Sequence, residues 1–129
     1  MPFPYVLDHS QSLVRTTITG PVTVPDILDH LAAEMRQGSL GWRELVDVRG
    51  VTPPFLTKSE IWQAAREGLA VIGNEYTGPR AIIVTNQIVY AQCRMFATLV
   101  EDAFAIRVFR DPVVAEHWLL EEYRIDSPG

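Results

Sequence analysis

A chain of 129 residues that is 47% hydrophobic and 21% charged is the size of one domain and lies far from the composition of disordered segments. Its formal charge is −5, Lys58 is the sole lysine and the arginines are scattered singly, which excludes the clustered cations that nucleic-acid phosphates require. The lone Cys93 excludes an internal disulfide and a cysteine-rich zinc site; with neither a leader-like start nor a run long enough to span a membrane, the expected location is cytoplasmic.

Tyr5 to Asp8 and Ser12 to Thr19 are β-rich runs flanking the polar His9-Ser10-Gln11, a pattern that predicts a hairpin ended by Gly20 and Pro21. Thr23 can then cap a helix in which Val24, Ile27, Leu28, Leu31, Ala32 and Met35 recur in steps of three and four until Gly38 supplies a left-handed stop. Glu44 to Arg49 reads as a strand broken by Gly50 and Pro53-Pro54. Thr57-Lys-Ser-Glu60 matches the reciprocal capping box and opens a helix with Ile61, Ala65, Gly68, Leu69 and Ile72 on its apolar stripe. The small Ala65 and Gly68 are expected to let that helix approach a sheet closely.

After Gly78-Pro79, the continuous apolar run from Arg80 to Thr85 suits a central strand covered on both faces. Asn86 is placed to cap a helix carrying Ile88, Val89, Cys93, Phe96, Leu99, Val100 and Ala103. Ile106 to Phe109 is a last strand. Asp111 then caps a closing helix with Pro112 at its first position and Val114, Ala115, Trp118 and Leu119 on one face. Arg124 to Gly129 reads as a flexible tail to a single domain spanning residues 1–123.

Strand, strand, helix and then three strand–helix pairs predict an α/β fold, a mostly parallel sheet of about five strands with an N-terminal hairpin and four main helices. If the strands neighbour one another in chain order, every crossover helix falls on one face. The Ala81 to Val84 run then requires either a dimer partner or a helix that crosses to the other face.

The order and spacing of four segments resemble the SpoIIAA-like family, the superhelical β/α fold shared by STAS domains and CRAL-TRIO lipid carriers. The segments are Thr17-Ile-Thr-Gly-Pro-Val-Thr23, Leu45-Val-Asp-Val-Arg-Gly-Val-Thr52, Ala81-Ile-Ile-Val84 before a helix with Tyr90, Arg94 and Met95, and Val108-Phe-Arg-Asp111 with Ala115, Trp118 and Leu119. The resemblance covers nearly the whole chain and implies a small stand-alone bacterial STAS-like domain. In the anti-sigma-antagonist type it also implies a phosphorylated Ser or Thr in an Asp-Ser-Ser-Gly-like turn. Here Pro54-Phe-Leu-Thr-Lys58 lacks that aspartate and glycine, leaving Thr57 as the acceptor, a hydroxyl that already serves as a helix cap.

In open parallel sheets ligands collect beyond the carboxyl ends of the strands. The richest such end combines Arg49, Phe55, Thr57 and Trp62, which together are read as a ligand-binding site for a small apolar or anionic molecule. Asp47 and Arg49, two apart on one strand, are equally explained by an ion pair. His30, with Asp26 and Glu34 four residues either side, reads as a solvated helix position, and His117 likewise. Cys93 reads as a core thiol. With no Gly-x-Ser-x-Gly elbow, phosphate loop or metal-ligand motif, the chain is expected to be non-enzymatic, without cofactor or metal. The leading function is then a STAS-like domain acting through a protein partner or self-association; the alternative is a small-molecule or lipid-binding domain.

Overall fold

The computed structural model describes residues 3–122. Strands β1 (Tyr5–Asp8), β2 (Leu13–Gly20), β3 (Arg43–Val51), β4 (Arg80–Ile83) and β5 (Ile106–Phe109) form one five-stranded sheet in the order β1-β2-β3-β4-β5. β1 and β2 are the expected antiparallel hairpin, and the other pairs are parallel. The Asp8 carboxylate folds the hairpin turn by accepting from the Ser10 and Gln11 backbone N–H groups at 3.1 and 3.3 Å.

Helices α1 (Val24–Gln37), α2 (Lys58–Ile72) and α3 (Gln87–Leu99) are the successive crossovers. A sheet built in chain order with right-handed crossovers puts all three on one face. Each starts where a side chain satisfies the orphan N–H groups of the first turn. The Thr57 hydroxyl accepts from the Glu60 N–H at 3.1 Å while the Glu60 carboxylate accepts from the Thr57 N–H at 2.9 Å, the expected capping box. Thr23 and Asp26 make the same reciprocal pair, and Asn86 accepts from Ile88 and Val89. Gly38 ends α1 in the left-handed region, φ 77°.

The second face of the sheet is covered by α4 (Pro112–His117) and a wider π-type turn at Trp118–Glu122. Ala115 and Leu119 pack there against Leu13, Ala81, Ile83 and Phe109, while Arg43 donates to the Leu119 carbonyl at 3.1 Å. A helix that crosses over therefore explains why β4 is apolar on both faces. Beyond α4 that face carries ion pairs, Arg15 with Glu116 and Asp47 with Arg49, beside the exposed Val6 of β1.

Four details depart from the sequence reading. β3 runs through Gly50 to Val51, because Gly50 pairs with Thr19, where a Cβ would lie 2.7 Å from the Thr19 methyl; the glycine admits the neighbouring strand instead of breaking the ladder. Gly68 faces Leu31 of α1 and so brings two helices together, not helix and sheet. Ile88 and Val114 are 57% and 51% exposed, since Val89 with Cys93 and Ala115 with Leu119 take the inward positions one turn apart. Ala103 lies exposed in a turn beyond α3. The expected tail, Arg124 to Gly129, and the end of the expected domain at residue 123 lie outside the described residues.

Candidate functional site

On β3, Glu44, Val46 and Val48 point toward the helices while Leu45 and Asp47 point to the other face, the alternation a pleated strand imposes. Glu44 is paired in register with Arg80 of β4, and Thr16 of β2 adjoins them. From above, α1 lowers His30 and Glu34, one turn apart, onto the same spot. Sheet and helix thus bring together a buried polar cluster: Glu34 0%, Thr16 2%, Glu44 2%, Arg80 4% and His30 7% exposed.

His30 Nε2 lies 2.7 Å from a Glu44 oxygen that also accepts from the Thr16 hydroxyl at 2.5 Å. Arg80 Nε is 3.3 Å from the other Glu44 oxygen, and its Nη2 reaches the Glu34 carboxylate at 3.4 and 3.5 Å. The remaining Arg80 donors go to the backbone carbonyls of Gly78 and Leu40, and its guanidinium lies 5.1 Å over the Phe104 ring. Every Arg80 nitrogen is committed within the protein. His30 Nδ1, by contrast, is buried without a hydrogen-bond partner among the described residues.

Burial and charge set the protonation of this cluster. Burial works against ionised Glu44, but the His30 hydrogen bond and Arg80 outweigh it and hold the carboxyl below its ordinary value. Burial, and then the Glu44 charge, push Glu34 up to about 8. Burial opposes protonation of His30, yet the Glu44 hydrogen bond and both carboxylates raise it. Arg80 and Glu44 offset one another, so the neutral form of the cluster carries one proton between His30 and Glu34.

His30, Glu34 and Glu44 could each offer an atom to one cation, their ligand atoms lying within 4.8 Å of one another. Arg80 already stands against both carboxylates, so a metal ion would have to displace it. The cluster is instead the polar wall of a cavity of about 120 Å³ between the sheet and the helix layer. The other walls are apolar, among them Ile18, Val46, Ile61 and Phe96. Cys93 is one of them, its thiol pushed up to about 12 by burial.

Of the four residues read as a ligand site, Phe55 lines this cavity. Its N–H donates to the Gln92 side chain at 3.1 Å, and Gln92 donates in turn to the Leu56 carbonyl, which pins the Phe55 loop to α3. Arg49 is clamped to Asp47 through contacts of 3.0 and 2.8 Å, on the face away from the cavity. Thr57 is occupied as the cap of α2, and Trp62 is 51% exposed on the outer side of that helix. The reading of His30 as a solvated position is corrected: Ile27 and Leu31 share its side of α1, so the helix buries it together with Glu34. The i, i+4 spacing of His30 and Glu34 in phase with those two residues was the available signal.

A solved structure from Shewanella loihica PV-4, an uncharacterized protein from the DUF3478 family with a SpoIIAA-like fold, superposes with a TM-score of 0.61. The match covers 92% of this chain and 93% of that one. The chain has a SpoIIAA-like fold. At 16% sequence identity the likeness concerns the fold alone. No protein-family model and no curated protein matches the sequence. Within the SpoIIAA-like frame the cavity lies beneath the three crossover helices, and among the described residues no helix is long and apolar enough to cross a membrane.

Proposed function

We propose that this chain is a non-enzymatic SpoIIAA-like binding domain that takes a small apolar molecule into the cavity between its sheet and its helix layer. One observation carries this reading: a pocket of about 120 Å³ between sheet and helices, partly open to solvent, that is apolar on nearly every side and has ionisable groups gathered at one wall. Natural ligand sites share that form, an apolar enclosure with a few placed polar groups that fix orientation.

Calorimetric titration of the purified protein with toluene, beside a variant whose cavity is reduced by Cys93→Leu, tests the reading. Saturable binding that the variant loses supports it. Absence of binding to the parent chain, together with no small molecule retained in native mass spectra, removes it.

A second reading, docking of a protein partner or of a second copy of the chain, is favoured by Val113 and Val114. They stand side by side at the start of α4, 77% and 51% exposed. Sedimentation should show self-association that Val113→Glu abolishes. A monomer at every concentration in both proteins ends the self-association form.

A further inference from the structure

Four of the chain's five phenylalanines, Phe3, Phe55, Phe96 and Phe104, line the cavity, and the His30 ring stands among them with its centroid 5.5 Å from that of Phe3. Aromatic walls of this kind favour offset or edge-on contact with another ring. The volume, about 120 Å³, is close to that of engineered apolar cavities, on the order of 150 Å³, that take up benzene. Size and wall chemistry together fit one six-membered aromatic ring.

The polar wall decides what that ring carries. His30 Nε2 faces a Glu44 oxygen that can only accept, so Nε2 holds a hydrogen. Nδ1 is then an acceptor in the neutral ring and a donor in the imidazolium. It is buried without a partner among the described residues, and buried polar atoms are ordinarily hydrogen-bonded. A hydroxyl can serve either form of the ring, as donor or as acceptor. A carboxylate would meet Glu34 and Glu44 on the same wall, where every Arg80 nitrogen is spent and the His30 ring is already paired through Nε2 with Glu44. An ammonium would leave water for an apolar pocket in which it would face the Arg80 guanidinium and a His30 ring that its carboxylate neighbours favour in the charged form.

We infer that the cavity is a site for a small uncharged phenol, its ring among Phe3, Phe55, Phe96 and Phe104 and its hydroxyl on His30 Nδ1. This inference rests on the cavity-binding reading and adds the chemical class of the occupant. It also gives the imidazole nitrogen a partner that none of the described residues supplies.

Toluene, p-cresol, p-toluate and 4-methylbenzylamine differ in one substituent and test it by titration calorimetry at pH 7. In a dry cavity a hydroxyl without a partner costs affinity, so toluene should then bind more tightly than p-cresol. The inference expects the opposite order, p-cresol ahead by roughly tenfold, with both charged probes weaker than toluene. In ¹⁵N spectra of histidine-labelled protein, p-cresol should move the Nδ1 resonance of His30 and toluene should leave it in place, a readout that needs no variant. His30→Phe should abolish the cresol advantage while retaining toluene binding. Toluene binding as tightly as p-cresol, an unmoved Nδ1 resonance, or preference for a charged probe overturns the inference and leaves the cavity reading standing. Failure of every probe to bind overturns both.

Discussion

Arg80 is the cation on which two buried carboxylates depend. Removing one member of a buried ion pair leaves a charge without its partner, which costs about 3–5 kcal/mol, more than the pair gains over an apolar substitute. Arg80→Met should therefore destabilise the fold by about that amount in a urea melt, whereas Arg49→Met, at an exposed and solvent-screened pair, should leave the midpoint nearly unchanged. Equal small losses would show that the buried cluster is hydrated. The same cluster fixes a dependence on pH. Glu34 is raised from 4.5 to about 8 by burial and then by Glu44, so its folded form prefers the proton and stability falls as pH rises from 4.5 through 8. His30 is raised from 6.5, against its burial, by Glu44 and Glu34, so its contribution is full below 6.5 and is lost on the alkaline side as well. Glu44 is lowered, so its contribution is full above 4.5 and is lost in acid. Stability should peak between these limits in mildly acidic solution, and Glu34→Gln should flatten the alkaline decline in melting temperature. A decline unchanged in that variant would assign it to other groups. Beyond the shared helix face of His30 and Glu34, none of this could be read from the sequence. His30, Glu34, Glu44, Arg80 and Thr16 come from α1 and three different strands, and only the register of the sheet makes them neighbours.

At the scale of elements the sequence was far more legible, because the signals that start and stop helices are local. Thr23, Thr57, Asn86 and Asp111 each cap the helix their position predicts, and Gly38 and Gly73 stand at the ends of α1 and α2. Thr57→Ala should cost about 1 kcal/mol, with Thr57→Ser nearly neutral, by thermal denaturation. A neutral alanine would mean that another group satisfies the Glu60 N–H. Which residues of a short helix turn inward was less legible, since one position of rotation decides it. In α4 the inward pair is Ala115 and Leu119, leaving Val114 outside and Trp118 half-buried at 5.6 Å from the Phe109 ring. Full burial of a tryptophan would make Trp118→Ala cost about 3–5 kcal/mol; for this edge position about 2 kcal/mol is expected. The loop ahead of β4 should be less tolerant still. A Cβ at Gly78 would lie 2.0 Å from the Trp42 carbonyl oxygen, a backbone atom that cannot swing away, so Gly78→Ala should lower the melting temperature more than Trp118→Ala does.

Taken whole, the molecule is one sheet with unequal covers. The crossover layer of α1, α2 and α3 encloses the cavity, and α4 closes the far side of β3, β4 and β5. Alternating strand and helix signals carried the mostly parallel α/β architecture in the sequence, together with the need for something on the second face. They did not carry the place of the cavity. Strand ends are where open sheets gather ligands by general rule, and Arg49 and Thr57 fit that rule by residue type. Their own neighbours, Asp47 and Glu60, occupy them instead. The interior space arises from how far the helix layer stands off the sheet, a distance set by many side chains at once.

Backbone amide and side-chain methyl NMR spectra recorded during titration with p-cresol test the account most directly. Saturable shifts concentrated at Ile18, Val46, Ile61 and Phe96, the walls of the interior space, are the predicted result. Shifts that never saturate, or that fall instead on Val113 and Val114 at the surface, would contradict it.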